Sequence, residues 1–253
     1  MSKMTAGAGR WIPLLLSIVF WASCKLVKED RRYCPCTLSV VLRDLPAYPL
    51  ALYVNGAWAG EADADTTLAV WVEKGPRADV VALSGARLLE DGCVHILYGL
   101  QAPPLYAFSG VADCSGETGS VTVQLQRHFC TLSLAFEGPP GWGEPYRVQV
   151  RGEVRGFRPL DGQPLEGPFL CTLDADYCCR LPRQFASARL WLDIVLPDRV
   201  LRSFPLDEYL RLAGYDWTAP DLADIPLQIN LSITEIRFHM GAWSTVVPLE
   251  ITI

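Results

Sequence analysis

Apolar and polar residues alternate with a period of two along most of the chain. Thr37 to Arg43 sets Leu38, Val40 and Leu42 on one side, and Ser120 to Gln126 does the same with Val121, Val123 and Leu125. Successive side chains of an extended backbone point to opposite faces, so each run predicts a half-buried strand. Comparable runs cover Leu50–Val54, Leu68–Val72, Cys93–Tyr98, Thr131–Phe136, Tyr146–Val150, Arg189–Leu196, Leu227–Ile233, Glu235–His239 and Val246–Ile253. Turn formers stand between them: Asn55-Gly56, Asp91-Gly92, Pro139-Pro140-Gly141 and Asp161-Gly162, pairs suited to tight reversals. Strands alternating with long helices are missing from the pattern, which excludes a parallel α/β sheet.

One segment follows the helical period instead. Leu206, Tyr209, Leu210 and Ala213 fall at i, i+3, i+4 and i+7; Pro205 enters the segment, Asp207 and Glu208 occupy its first turn, and Gly214 ends it. This predicts a short helix closing one end of a sandwich. Roughly a dozen strands exceed the seven to nine of a typical single sandwich. The chain is therefore expected to be all-β, with two sandwich domains over residues 37–126 and 127–253 and one short helix in the second. No repeat of fixed period and no low-complexity tract is present.

The N-terminus breaks the strand pattern. Lys3 and Arg10 precede an apolar run from Ile12 to Trp21, then the small residues Ala22 and Ser23, the order of an export signal over residues 1–23. The run is about half the roughly 20 residues that a spanning helix needs. Cys24, directly after Ala-Ser, resembles the acylated cysteine of a bacterial lipobox, although Trp21 stands where leucine is usual. Residues 24–36 then read as a lipid-attached tether, and Lys28-Glu29-Asp30 resembles the charged tether of surface-exported lipoproteins. The net charge of the 253 residues is −6. Loss of Lys3 and Arg10 with the signal leaves −8, which disfavours non-specific nucleic-acid binding.

Candidate chemistry is sparse. Apart from Cys24, the cysteines are Cys34, Cys36, Cys93, Cys114, Cys130, Cys171, Cys178 and Cys179. An even set in an exported protein permits disulfides, but the sequence does not choose among the pairings. Cys34-Pro-Cys36 and Cys178-Cys179 lack the two-residue spacer of a tetrahedral zinc site, so no metal is expected. Cys93 and Cys130, inside strand-like runs, suit buried thiols. His95, His128 and His239 have no nucleophile motif beside them, and no phosphate loop or other cofactor motif is present. Gly138 to Gly143 reads as a turn, as does Asp174-Ala-Asp176. Among the tryptophans, Trp71 and Trp191 lie in alternating runs and are expected in the core. Trp58 and Trp142, beside turns, are expected at the surface, where a flat ring can stack on a sugar face or meet a protein partner.

Several segments together resemble a known family. They are Cys24, the strand Thr37 to Arg43, the run Asp91-Gly-Cys-Val-His-Ile-Leu-Tyr98 and, most specifically, Phe204-Pro-Leu-Asp-Glu-Tyr-Leu-Arg-Leu-Ala-Gly-Tyr-Asp-Trp217 with Asp224-Ile225 and Gly241-Ala-Trp243. They are similar to the FimB/Mfa2 family of Bacteroidetes fimbrial anchoring subunits; the cysteine content departs from that family. The resemblance implies two transthyretin-like sandwich domains and a non-enzymatic outer-membrane lipoprotein. Such a protein holds a fimbrium to the cell surface and limits its length through contact with fimbrillin shaft subunits. In related fimbrillins an N-terminal strand is cut away after an arginine and a neighbour's strand takes its groove. Arg43 is the matching cleavage candidate here, and Val247, Leu249, Ile251 and Ile253, alternating to the last residue, form a candidate donor strand. Two alternatives stay open: a polymerising or tip adhesin subunit, and a surface lipoprotein that binds a glycan or a host surface.

Overall fold

A computed structural model describes residues 34–137, 147–196, 199–231 and 235–248. In chain order the first half holds β1 (Cys36–Leu42), β2 (Leu50–Val54), β3 (Ala57–Ala62), β4 (Thr66–Val72), β5 (Gly75–Ser84), β6 (Val94–His95), β7 (Tyr106–Cys114), β8 (Thr118–Val123) and β9 (Gln126–Arg127). Then follow β10 (Phe129–Glu137), β11 (Arg147–Arg158), β12 (Gln163–Thr172), β13 (Cys178–Pro182), β14 (Leu190–Leu196), β15 (Arg199–Pro205), α1 (Leu206–Leu212), β16 (Ile225–Leu231), β17 (Glu235–Met240) and β18 (Trp243–Pro248).

In the first half β1 runs between β4, antiparallel to it, and β8, parallel to it. The opposing sheet has the order β3-β2-β5-β7-β9. Alternation along β1 sends Cys36, Leu38, Val40 and Leu42 into the space between the sheets, where they are fully buried against Leu50, Leu52, Val80 and Ala82. Asn55-Gly56 joins β2 to β3. Both residues have positive φ, 51° and 78°, as a two-residue type I′ hairpin requires.

The second half repeats this plan. Put β10, β11, β12, β13, β14, β15 and β16 in place of β1, β2, β3, β4, β5, β7 and β8, and every pairing among them recurs with the same direction. What recurs is connectivity, which a search for a fixed sequence period does not detect. The hairpin β17–β18 then lies alongside β16 and widens its sheet. A second core gathers Leu132, Val150, Phe169, Leu181, Leu192 and Phe238. Helix α1 forms where the helical period was expected and directly follows β15, a strand the pattern did not mark, with Leu206 and Leu210 buried and Gly214 at φ 78° just beyond it.

The two halves touch through a third cluster, in which Val81, Leu83, Leu105 and Ala107 pack on Val94 and Phe157. The expected strand Cys93–Tyr98 is reduced to β6, and it pairs with β11 of the second half. The chain continues along that half, with Gly99 donating to Leu170 O at 2.9 Å and Ala102 to Arg180 O at 3.0 Å. Strand β9, in turn, pairs with β7.

One core expectation is corrected. Trp71 is 79 % exposed: β4 turns Leu68, Val70 and Val72 inward, which forces Trp71 out. The run Leu-Ala-Val-Trp-Val is apolar at every position and gives no parity signal. Trp191 is half-buried, with the Arg151 guanidinium 4.3 Å from its ring centre.

Candidate functional site

The exit from β1 is the first region with functional content. Arg43 is exposed and follows the last residue of the strand. Asp44 next to it has a positive φ of 54°, a conformation that aspartate tolerates better than most residues. The Asp65 carboxylate accepts the N–H groups of Asp44 and Leu45 at 3.0 and 3.1 Å. Those donors, Leu45 first, hold its carboxyl below the usual aspartate range. The peptide bond after Arg43 is therefore exposed in side chain and fixed in backbone.

The opposite end of the chain contributes an edge. Strand β18 borders its own sheet, and the backbone of Val247 pairs with Ile236. Leu249, Ile251 and Ile253 lie outside the described residues, as do Cys24, Trp142 and the Gly138–Gly143 turn.

The outer face of the β1 sheet carries small side chains in register. Trp71, Thr37 and Thr118 form one row across β4, β1 and β8; Ala69, Ser39 and Ser120 form the next; Thr67, Val41 and Thr122 form the third. The result is a hydroxyl-rich surface with one projecting indole. Trp58, at the first turn of β3, is 63 % exposed, as its position beside Asn55-Gly56 predicts.

Where the halves meet, a cleft of about 660 Å³ is lined by Phe108, His128, Phe157, Arg183 and Trp217. Arg183 is buried and uses all its N–H groups. Nε donates to His128 Nδ1 at 3.0 Å, Nη1 to the carbonyls of Trp217 and Ala219, and Nη2 to those of Arg127 and Pro220. Burial, with the Arg183 charge beside it, pushes the His128 pKa down to about 3. Next to it Arg127 pairs with Asp224 at 2.5 Å, and Asp224 also accepts the Thr131 N–H at 2.7 Å. These polar groups hold chain segments together. The sequence named His128, Trp217 and Asp224 but not their meeting with Arg183 and Arg127, since most of these contacts join distant positions.

Asp91, Cys93 and His95 bring a carboxylate, a thiol and an imidazole within 4.8 Å of one another. Their alternate spacing was the available signal. His95 Nε2 lies 2.6 Å from Asp91 Oδ2, while burial, and then the Asp91 charge, push the Cys93 thiol up. Asp174 caps its own turn, accepting the N–H groups of Asp176 and Cys178 at 3.1 and 2.8 Å. Among the described residues no helix is long and apolar enough to cross a membrane.

Solved structures share this arrangement. An adhesin candidate from Bacteroides ovatus superposes with a TM-score of 0.60 at 12 % identity, covering 87 % of this chain and 97 % of that one. The fimbrial anchor protein Mfa2 from Porphyromonas gingivalis does so with 0.57 at 11 % identity, covering 83 % and 99 %. A polysaccharide-binding candidate from Bacteroides thetaiotaomicron gives 0.56 at 14 % identity, covering 84 % and 98 %. The chain has their fold. No protein-family profile matches the sequence, and no curated protein matches it.

Proposed function

We propose that the chain is a non-enzymatic, surface-exposed subunit of a fimbrium, tethered to the outer membrane by lipid on Cys24, and that it acts as the anchor. The observation that carries this reading is the state of β1. The strand lies at the centre of its sheet with four side chains fully buried, and the bond after Arg43 is gripped through Asp65. An anchor keeps its first strand and with it the tether. A shaft subunit gives that strand up and accepts a neighbour's. The fold shared with Mfa2 supports the anchor role. Contact with fimbrillin shaft subunits then runs through strand addition at a sheet edge, where unpaired backbone groups bind another chain, and a subunit that keeps its own strand ends the polymer and limits its length.

The deciding experiment is the mass of the N-terminal peptide of the protein recovered from outer membranes. A peptide that begins at acylated Cys24 and runs intact through Arg43 is the expected result. A chain beginning at Asp44 overturns the anchor role in favour of a polymerising or tip subunit, and an unmodified start removes the lipid tether.

A second reading draws on Trp71. An exposed indole in a row with two threonine hydroxyls offers a stacking ring and hydrogen-bonding groups to a sugar, and the structural likeness to a polysaccharide-binding candidate points the same way. Glycan-array binding that is lost in Trp71→Ala or Trp58→Ala supports it.

A further inference from the structure

Eight cysteines lie among the described residues, each as a free thiol, and the fold sorts them. Cys36 opens β1 and Cys114 closes β7, on the two opposed sheets of the first half. Neither has any exposure. Gly119, the β8 partner of Leu38, shows where the Cys114 sulfur sits: a Cβ on this glycine would lie 3.2 Å from Cys114 Sγ and 3.5 Å from Leu38 Cδ1. The sulfur thus lies beneath β8 and β1, in the same buried cluster as Cys36, whose thiol is close enough to bear on its ionisation.

The second half has its own pair. Cys171 near the end of β12 and Cys179 in β13 belong to opposed sheets, joined by the turn around Asp174 and Tyr177. Both are buried in the same core, and their thiols are close enough to bear on each other's ionisation. Cys93 and Cys178 are engaged with the Asp91 and Asp176 carbonyls, and Cys130, in the same core as Cys171 and Cys179, sits beside the Tyr215 hydroxyl. Cys178 and Cys179, adjacent in sequence, follow the strand alternation and point to opposite faces.

We propose that the mature protein carries two disulfides, Cys36–Cys114 and Cys171–Cys179, one stapling the two sheets of each sandwich. For each, two S–H bonds are lost and one S–S bond forms. Two electrons and two protons pass to a disulfide oxidant, a small molecule such as oxidised glutathione or a protein of the export compartment, which is released as two thiols. The bonds form while the chain folds, since burial in the finished core pushes the Cys114 thiol up to about 11 and suppresses the attacking thiolate. The two bonds differ in loop length. Cys36–Cys114 closes almost the whole first half, whereas Cys171–Cys179 closes one turn, so the first constrains the unfolded chain more.

The test uses the full chain, independently of any role at the cell surface. Reduced, denatured protein is refolded in a glutathione redox buffer, remaining thiols are alkylated, and the product is weighed and mapped. The expected product has four cysteines protected from alkylation and is roughly 4 Da lighter before labelling than the reduced chain. Cleavage before aspartate separates Cys171 from Cys179 at Asp174 and Asp176, and a Cys178→Ala background removes the neighbouring thiol. Peptides joined as Cys36–Cys114 and Cys171–Cys179 are the supporting result; folded protein that is fully alkylated on later unfolding, or a map with other partners, overturns it. A second measurement follows the urea midpoint of the oxidised protein. Reductant lowers it, and Cys36→Ala/Cys114→Ala removes most of that shift; a midpoint indifferent to reductant also overturns the proposal.

Discussion

Arg183 meets four carbonyls and one imidazole, with no carboxylate partner among the described residues. Arginine suits this place because its planar fork carries five donors in fixed directions, which lysine does not. The arrangement requires a neutral His128, because Nδ1 must accept. Its folded pKa of about 3 lies below the ordinary 6.5. The unfolded chain therefore takes up a proton first as pH falls. The contribution to stability is complete above pH 6.5 and is lost progressively toward pH 3, at about 1.4 kcal/mol per pH unit. At pH 5 the loss is about 2 kcal/mol. Urea unfolding at pH 7 and pH 5 checks this: the midpoint of the native chain falls, and His128→Gln, which keeps an acceptor and cannot charge, flattens the dependence. This centre was not legible in the sequence. Arg183 and His128 are 55 positions apart, and neither stands in a motif.

Strands were legible where one face is core and the other solvent. Strand β1 is the clearest case, with its alternation unbroken from Cys36 to Leu42. Strand β5 hid because Val80 to Leu83 touch cores on both faces, which erases the period of two. Strand β12 hid because Pro164, Gly167 and Pro168 read as breakers. It tolerates prolines because it borders its sheet, where an absent N–H costs no ladder bond. At the exit of β1 the sequence showed Arg43 but not its guard, since Asp65 reaches Asp44 from the far end of the β3–β4 turn. Asp65→Ala releases both N–H groups, and limited trypsin digestion of the folded protein is expected to cut after Arg43 roughly tenfold faster, the cost of opening this segment having fallen. An unchanged cutting rate would show that the carboxylate does not guard the bond. Protection by the native Asp65 is present above pH 3.8 and fades as pH falls through its lowered pKa.

At the scale of the molecule, the two cores are linked by Phe157, which is buried against Val94 and Leu83 and lies 4.2 Å from the His128 ring. Phe157→Ala removes this contact at an expected cost of about 3–5 kcal/mol. Calorimetry checks the consequence: one unfolding transition in the native chain, two in the variant. The repeated connectivity also has an effect on symmetry. The hairpin β17–β18 covers the flank of β16, whereas among the described residues the equivalent flank of β8 has no strand beside it. A body built twice on one plan and sheathed once has a polarity, with unlike borders at its two ends. Copies or partners that joined border to unlike border would meet head to tail, in an order with a direction, whereas two like borders would close a two-fold pair and end the series.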